Sequence, residues 1–411
     1  MRLSLLAGLA VLAACQPAEP PEPSASPALP PGVSEVAVPA GAESGRARLS
    51  LTPEGTPLLS WSEPDAEAHV LRYSTWREGA WSPPTTAASG TDWFVNWADT
   101  PGVLALADGR TLAHWLAMHP DGDSPYAYDA AVSIRDASAM TKPTLLHDDG
   151  LAAEHGFVSA SPLTDGPGTS PGLVWLDGRE QAGGGHGHHT GAMTLRFARL
   201  DAQGQPVDGT VLDPRVCDCC PTAMTATARG PVVAYRDRSE GEIRDIAIVR
   251  RVDGAWTEPS IPHPDGWRIE GCPVNGPALD SDDERVALAW FTAAGDSAKV
   301  RLAVSGDGGA TWGEAVRVDS GAPLGRTSVA LLDNSEVAVG WLETDGETAR
   351  FLVRRFPPPG TASPPAPVTV AQIPAGRASG IPRIVRHGSG VLAAWTDPTA
   401  SPSLRTATVS L

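Results

Sequence analysis

The stretch GLVWLDGR, residues 172–179, is a short apolar run that ends in an aromatic, Trp175, with an acid, Asp177, two positions later. The pattern recurs along the chain as PLLSWSE (57–63), RTLAHWL (110–116), PVVAYRDR (231–238), VALAWFT (286–292), VAVGWLE (337–343) and VLAAWTD (391–397). Its aromatics are Trp61, Trp115, Trp175, Tyr235, Trp290, Trp341 and Trp395, spaced 54, 60, 60, 55, 51 and 54 residues apart. A period that regular over seven copies marks a repeat architecture.

Each period has room for four short strands, and the 43 glycines and 40 prolines punctuate β-type runs rather than helical ones. Four strands per repeat is the unit of a propeller blade. The last period, from about residue 382, holds only three strands before Leu411, and SEVAVPA (34–40) is expected to supply the fourth. Such closure removes an open sheet edge. The fold expected is therefore all-β, a seven-bladed β-propeller of four-stranded blades closed by an N-terminal strand, with six blades as the alternative count. The seven aromatics should pack between blades. The acids two residues on (Glu63, Asp177, Asp237, Glu343 and Asp397) share their strand face and are expected mostly to satisfy backbone donors in the following turn.

The N-terminus, MRLSLLAGLAVLAAC, has one basic residue and then an apolar run too short to span a bilayer, which fits a secretory signal. LAAC (12–15) resembles the bacterial lipobox, so residues 1–14 read as a lipoprotein signal peptide and Cys15 as the lipidated residue. Gln16 in place of Asp favours the outer membrane in a Gram-negative cell. Residues 15–32 are proline-rich and form a spacer, leaving 33–411 as one propeller domain. A net charge of −17 argues against nucleic acid as a partner. A monomer is expected.

SGDGGATW (305–312) matches the Asp box, S-x-D-x-G-x-x-W, and the chain resembles the sialidase and BNR-repeat propellers. GAWSPP (79–84) and GAWTEP (254–259) look like eroded copies. The resemblance implies that Ser305, Asp307, Gly309 and Trp312 form a structural turn between third and fourth strands, away from the functional face. It also implies a mechanism with three arginines on a substrate carboxylate, a tyrosine nucleophile with a glutamate partner, and an aspartate. The candidates for those roles are Arg46, Arg326 and Arg377, then Tyr235, Glu240 and Asp237. The family's Phe-Arg-Ile-Pro motif is missing.

Because strand direction alternates, loops after second and fourth strands open on one face. That face collects RVCDCCPT (215–222), with Cys217, Cys219 and Cys220, and IEGCPVNGP (269–277), with Cys272. It also collects GGGHGHHTG (183–191), with His186, His188 and His189. Four cysteines in an oxidising compartment suggest disulfides, yet bridges within the cluster are geometrically demanding. Thiolates beside imidazoles are instead ligands for soft or borderline metals, copper or zinc. YRDRSEGEIRD (235–245) reads as an ion-pair network bracing its blade. The leading functional expectation is a lipid-anchored cell-envelope propeller that binds a ligand, a soft metal ion or a glycan among the candidates, on its Cys/His/Arg face. The alternatives are an exo-sialidase-like glycoside hydrolase and an envelope scaffold with no small-molecule site.

Overall fold

The computed structural model describes residues 30–136, 140–163, 170–181 and 191–411. Seven antiparallel sheets follow one another along the chain and close into a ring, a seven-bladed β-propeller. Blade 3 shows the plan, inner strand to outer: His155–Leu163, Ser170–Asp177, Thr194–Leu200 and Pro206–Asp213. Blade 4 follows with Ala223–Thr227, Gly230–Arg236, Ile246–Val252 and the short Ala255–Trp256. Blade 1 differs by carrying a fifth strand, Thr85–Gly90, on its third strand, Ala68–Arg77.

Blade 7 takes its outer strand from the other end of the chain. Val33–Val36 pairs antiparallel with Leu404–Val409, in a register running from Val33 opposite Val409 to Val36 opposite Thr406. Arg405 pairs with Glu35 across the seam. The expected closure is thus observed, and with it seven rather than six blades.

The repeat aromatics explain why the ring holds. Second strands are covered on both faces, so they read as continuous apolar runs and are almost wholly buried. Each aromatic sits in the core between two blades. Trp61 packs against Leu392 and Leu404 of blade 7, Trp115 against Leu71 of blade 1, and Trp175 against Val132 of blade 2. Tyr235, Trp290, Trp341 and Trp395 repeat this at the remaining four seams.

The acids satisfy backbone donors, as expected, and bind the aromatics as well. The two-residue period that puts them on the aromatic's face also puts them within reach of its indole N–H. Trp61 donates to Glu63 at 2.8 Å, Trp175 to Asp177 at 2.8 Å, and Trp341 to Glu343 at 3.0 Å. A buried indole N–H needs a partner, and the local acid supplies it. Asp177, Asp237 and Asp397 also accept turn amides, from Arg179, Arg238 and Thr399, so three of the five acids have the role expected of them.

SGDGGATW forms the turn after the third strand of blade 5, Lys299–Ser305. Ser305 Oγ donates to Asp307, Asp307 accepts the Thr311 amide at 2.8 Å, and the Trp312 indole donates to the Gly309 carbonyl. Gly308 and Gly309 both have φ near +70°, which side chains rarely adopt. Ala80–Trp81 and Ala255–Trp256 occupy the same turn in blades 1 and 4. All three lie on the face opposite the cysteines.

Candidate functional site

RVCDCCPT links the outer strand of blade 3 to the inner strand of blade 4. It is pinned by the Val216 amide on Met193 and the Cys217 amide on the Arg236 carbonyl. Cys217 and Cys220 are buried, Cys219 is half-buried and Cys272 is exposed, and all four are free thiols. Cys217 Sγ lies 3.4 Å from Cys220 Sγ and 4.0 Å from Cys219 Sγ. A disulfide needs about 2.05 Å, so the staple reading of this cluster is not what the structure holds. Cys272, from the link between blades 4 and 5, reaches a hydrogen bond with Cys219. Cys217, Cys219 and Cys220 thus cluster and Cys272 reaches Cys219, with no disulfide among the four.

Their surroundings favour a thiolate. Hydrogen bonds with Cys219 and Cys220, the Cys219 amide and the Arg244 guanidinium hold Cys217 well below the usual thiol range. Arg244 Nη1 donates to Cys217 Sγ at 3.2 Å. Hydrogen bonds with Cys217, Cys220 and Cys272 push Cys219 upward, and burial followed by the hydrogen bond with Cys217 pushes Cys220 upward. The segment 235–245 is the expected ion-pair network: Arg238 bridges Asp218 and Glu242, and Arg244 pairs with Glu242 at 2.7 Å. Asp218 belongs to the cysteine loop itself, so the network anchors the loop as well as the blade. Gln181 adds a bond to Asp218 at 3.3 Å. His186, His188 and His189 lie outside the described residues, as does Cys15.

Two of the candidate arginines are engaged by nearby acceptors, and Arg377 lies close enough to Arg326 to repel it. Arg46 and Arg326 sit at bulges of inner strands with φ of 57° and 53°, and bulges re-aim side chains. Arg46 donates to Ser62 Oγ at 2.5 Å. Arg326 donates to the Gly376 and Gly380 carbonyls at 3.0 Å each and lies 4.6 Å over the Trp97 ring. Arg377 is exposed in the turn before blade 7. Trp97 belongs to the link between blades 1 and 2, whose next residues are also tied down. Asp99 accepts the Phe157 amide of blade 3 at 2.7 Å, and Thr100 takes two bonds from Arg48 of blade 1. This link therefore crosses the mouth of a central channel of about 850 Å³.

Tyr235 is fully buried and its hydroxyl donates to Asp213 at 2.6 Å, a seam contact like the tryptophans'. Glu240 is exposed at a turn, and burial pushes Asp237 up to about 6. The described tyrosine–glutamate contact lies elsewhere. Tyr128 donates to Glu154 at 2.8 Å and lies 3.3 Å from Asp99. Burial pushes Glu154 up to about 8 and Asp99 up to about 7. Tyr128 is itself only 1% exposed, stacked at 4.2 Å on Phe94. Sequence reasoning missed this trio because Asp99 and Glu154 come from two different links and Tyr128 from the start of a strand, with no shared motif.

No family profile matches the chain, and no curated protein does. Solved structures do resemble it. A polysaccharide lyase of a new ulvan lyase family, bound to GlcA(1-4)Rha3S, superposes with a TM-score of 0.54 at 11% identity, covering 92% of this chain and 96% of that one. A Hadza microbial sialidase gives 0.49 at 14% identity, with 84% and 74% covered. The Penicillium chrysogenum α-L-arabinanase complexed with arabinobiose gives 0.46 at 10%, with 93% and 96% covered. At such identities the likeness to the ulvan lyase is one of fold, a propeller spanning nearly the whole of both chains.

Proposed function

We propose that this protein is an exported, lipid-anchored propeller of the bacterial outer membrane that binds a soft metal ion, Cu(I) or Zn(II), through Cys217, Cys219, Cys220 and Cys272. The observation that carries the reading is the sulfur geometry. Metal–sulfur bonds of about 2.3 Å put the sulfurs of a tetrahedral site about 3.8 Å apart, and the separations here are 3.4 and 4.0 Å. Arg244 on Cys217 and Arg236 near Cys220 supply positive charge that favours the deprotonated, ligating form. Lipid anchoring rests on residues 12–15, and the proline-rich spacer would hold the thiol face clear of the membrane.

The test is anaerobic titration of the reduced protein with Cu(I) and Zn(II) against a competing chelator. One ion per chain is expected, with Cys220→Ser weakening binding at least tenfold. Adventitious binding only, unchanged in Cys220→Ser, contradicts the proposal.

A second reading, a glycan ligand on the same face, is supported by the Tyr128–Glu154–Asp99 contact, which brings together residue types that a sialidase-like site uses. Enzymes acting on glycans also recur among the structures named above. A sialic acid analogue at a hundredfold excess over its Kd should stabilise the fold by about 2.7 kcal/mol, and Arg326→Ala should remove the shift in Tm. An unchanged Tm at millimolar analogue sets this reading aside.

A further inference from the structure

A second cluster of metal-binding side chains lies at the seam of blades 2 and 3, built from residues with no sequence motif in common. Asp129 opens the third strand of blade 2, Tyr128–Arg135, as its second residue. His147 follows in the link to blade 3, and His155 begins the inner strand of that blade. The three are 4%, 8% and 0% exposed. Their ligand atoms all lie within 4.8 Å of one another. His147 Nε2 is 3.4 Å and His155 Nδ1 is 3.5 Å from the same oxygen, Asp129 Oδ1.

Apart from these long contacts with one another, the three atoms have no hydrogen-bond partner among the described residues. A buried polar group left unpaired costs about 1–3 kcal/mol, and native folds rarely leave three in one place. A single cation would satisfy them together. Metal–ligand bonds of about 2.0–2.1 Å give tetrahedral edges of about 3.3 Å, close to the separations observed. The charge balance points the same way. The carboxylates of Asp129, Asp149, Asp177 and Glu180 face two guanidiniums, Arg179 and Arg196, leaving an excess of two negative charges beside two imidazoles.

The outer contacts are those of a ligating histidine. His155 Nε2 bonds Asp149 Oδ2 at 3.1 Å, which leaves Nδ1 free as the ligand atom. Arg179 holds Asp149 at 3.0 Å and binds Asp177 through two bonds of 2.7 Å. Asp177 also accepts the Trp175 indole, so its oxygens are taken. The imidazoles stack with centroids 3.7 Å apart and planes 16° from parallel, an arrangement unfavourable to two protonated rings, and one ring must turn for both in-plane lone pairs to meet on one ion.

We propose that His147, His155 and Asp129 form a metal centre for a divalent ion of zinc type, separate from the thiolates, with Asp149 as the residue that positions His155. Two imidazoles and a carboxylate suit zinc better than a soft ion. The 3₁₀ turn Arg179–Gln181 joins the two centres, since Arg179 serves the histidine site and Gln181 bonds Asp218 of the cysteine loop.

Co(II) separates the two sites, because thiolate ligands add sulfur-to-metal charge transfer that nitrogen and oxygen ligands lack. The full-length chain carrying Cys217→Ser, Cys219→Ser, Cys220→Ser and Cys272→Ser should still bind one Co(II), or one Zn(II), without that absorption. His147→Ala should lose this equivalent. Asp149→Asn should keep the fold and weaken binding 10–100-fold, as loss of an outer carboxylate does, which keeps the proposal testable if His147→Ala does not fold. No stoichiometric ion in the folded four-serine chain overturns it, as does binding unaltered by both substitutions. Failure of thiolate binding alone leaves this centre standing.

Discussion

Deleting residues 33–40 is expected to abolish cooperative unfolding of the propeller. The deletion strips the outer strand from blade 7 and exposes the edge of Leu404–Val409. It also removes Val33, buried in the seam of blades 6 and 7, and Val36, Val38 and Ala40, which pack on the cluster around Trp61 and Trp81. At about 1.5–3 kcal/mol for each fully buried valine, the apolar loss alone is about 5 kcal/mol, comparable with the whole stability of many domains. Thermal melts followed by near-UV circular dichroism should lose their sharp transition. A melt matching the intact domain would show that blade 7 does not need this strand.

Arg236→Ala is the substitution expected to cost most at a single position. The side chain is 2% exposed and donates to the carbonyls of Arg244, Asn275 and Phe291 at 2.6–3.0 Å. Its guanidinium lies 4.8 Å over the Trp267 ring. It thus ties blade 4 to the link and second strand of blade 5. Truncation leaves three carbonyls short of a donor and opens a cavity, for a destabilisation of about 3–5 kcal/mol. Arg236→Lys keeps the charge but not the planar fork, and should recover only part of that. Chemical denaturation measures both. A cost below about 1 kcal/mol for Arg236→Ala would mean that water replaces the lost donors.

Much of the fold was legible because a propeller repeats one local problem seven times. Each second strand needs a large aromatic for the seam, so Trp61 through Trp395 appear at a near-constant period. The short seventh repeat likewise advertised a missing strand. The Asp box was legible because its turn needs particular residues at fixed offsets, with glycine where φ is positive. The cysteine cluster was visible as a cluster, but sulfur state depends on the distances that two separate links impose. His147, His155 and Asp129 carry no such signal. They lie 26 residues apart at the extremes and meet only because blade 3 starts beside the third strand of blade 2. Arg48 was passed over for the same reason: its partners, Thr100 and Val158, come from blades or links far along the chain. The acids after the aromatics were legible both in their shared face and as acceptors of turn amides, at Asp177, Asp237 and Asp397, whereas the indole N–H was not counted as a further donor needing satisfaction.

Cys217, Cys219, Cys220 and Cys272 are expected to act as metal ligands rather than as disulfides. Native mass spectrometry of the anaerobically purified chain, with and without alkylation after denaturation in chelator, tests it most directly. The account predicts one bound copper or zinc ion in the folded chain. It also predicts uptake of four alkyl groups on these cysteines once the ion is removed. Two intact disulfides, with no alkylation of the unreduced chain and no metal retained after gentle reduction, would contradict it.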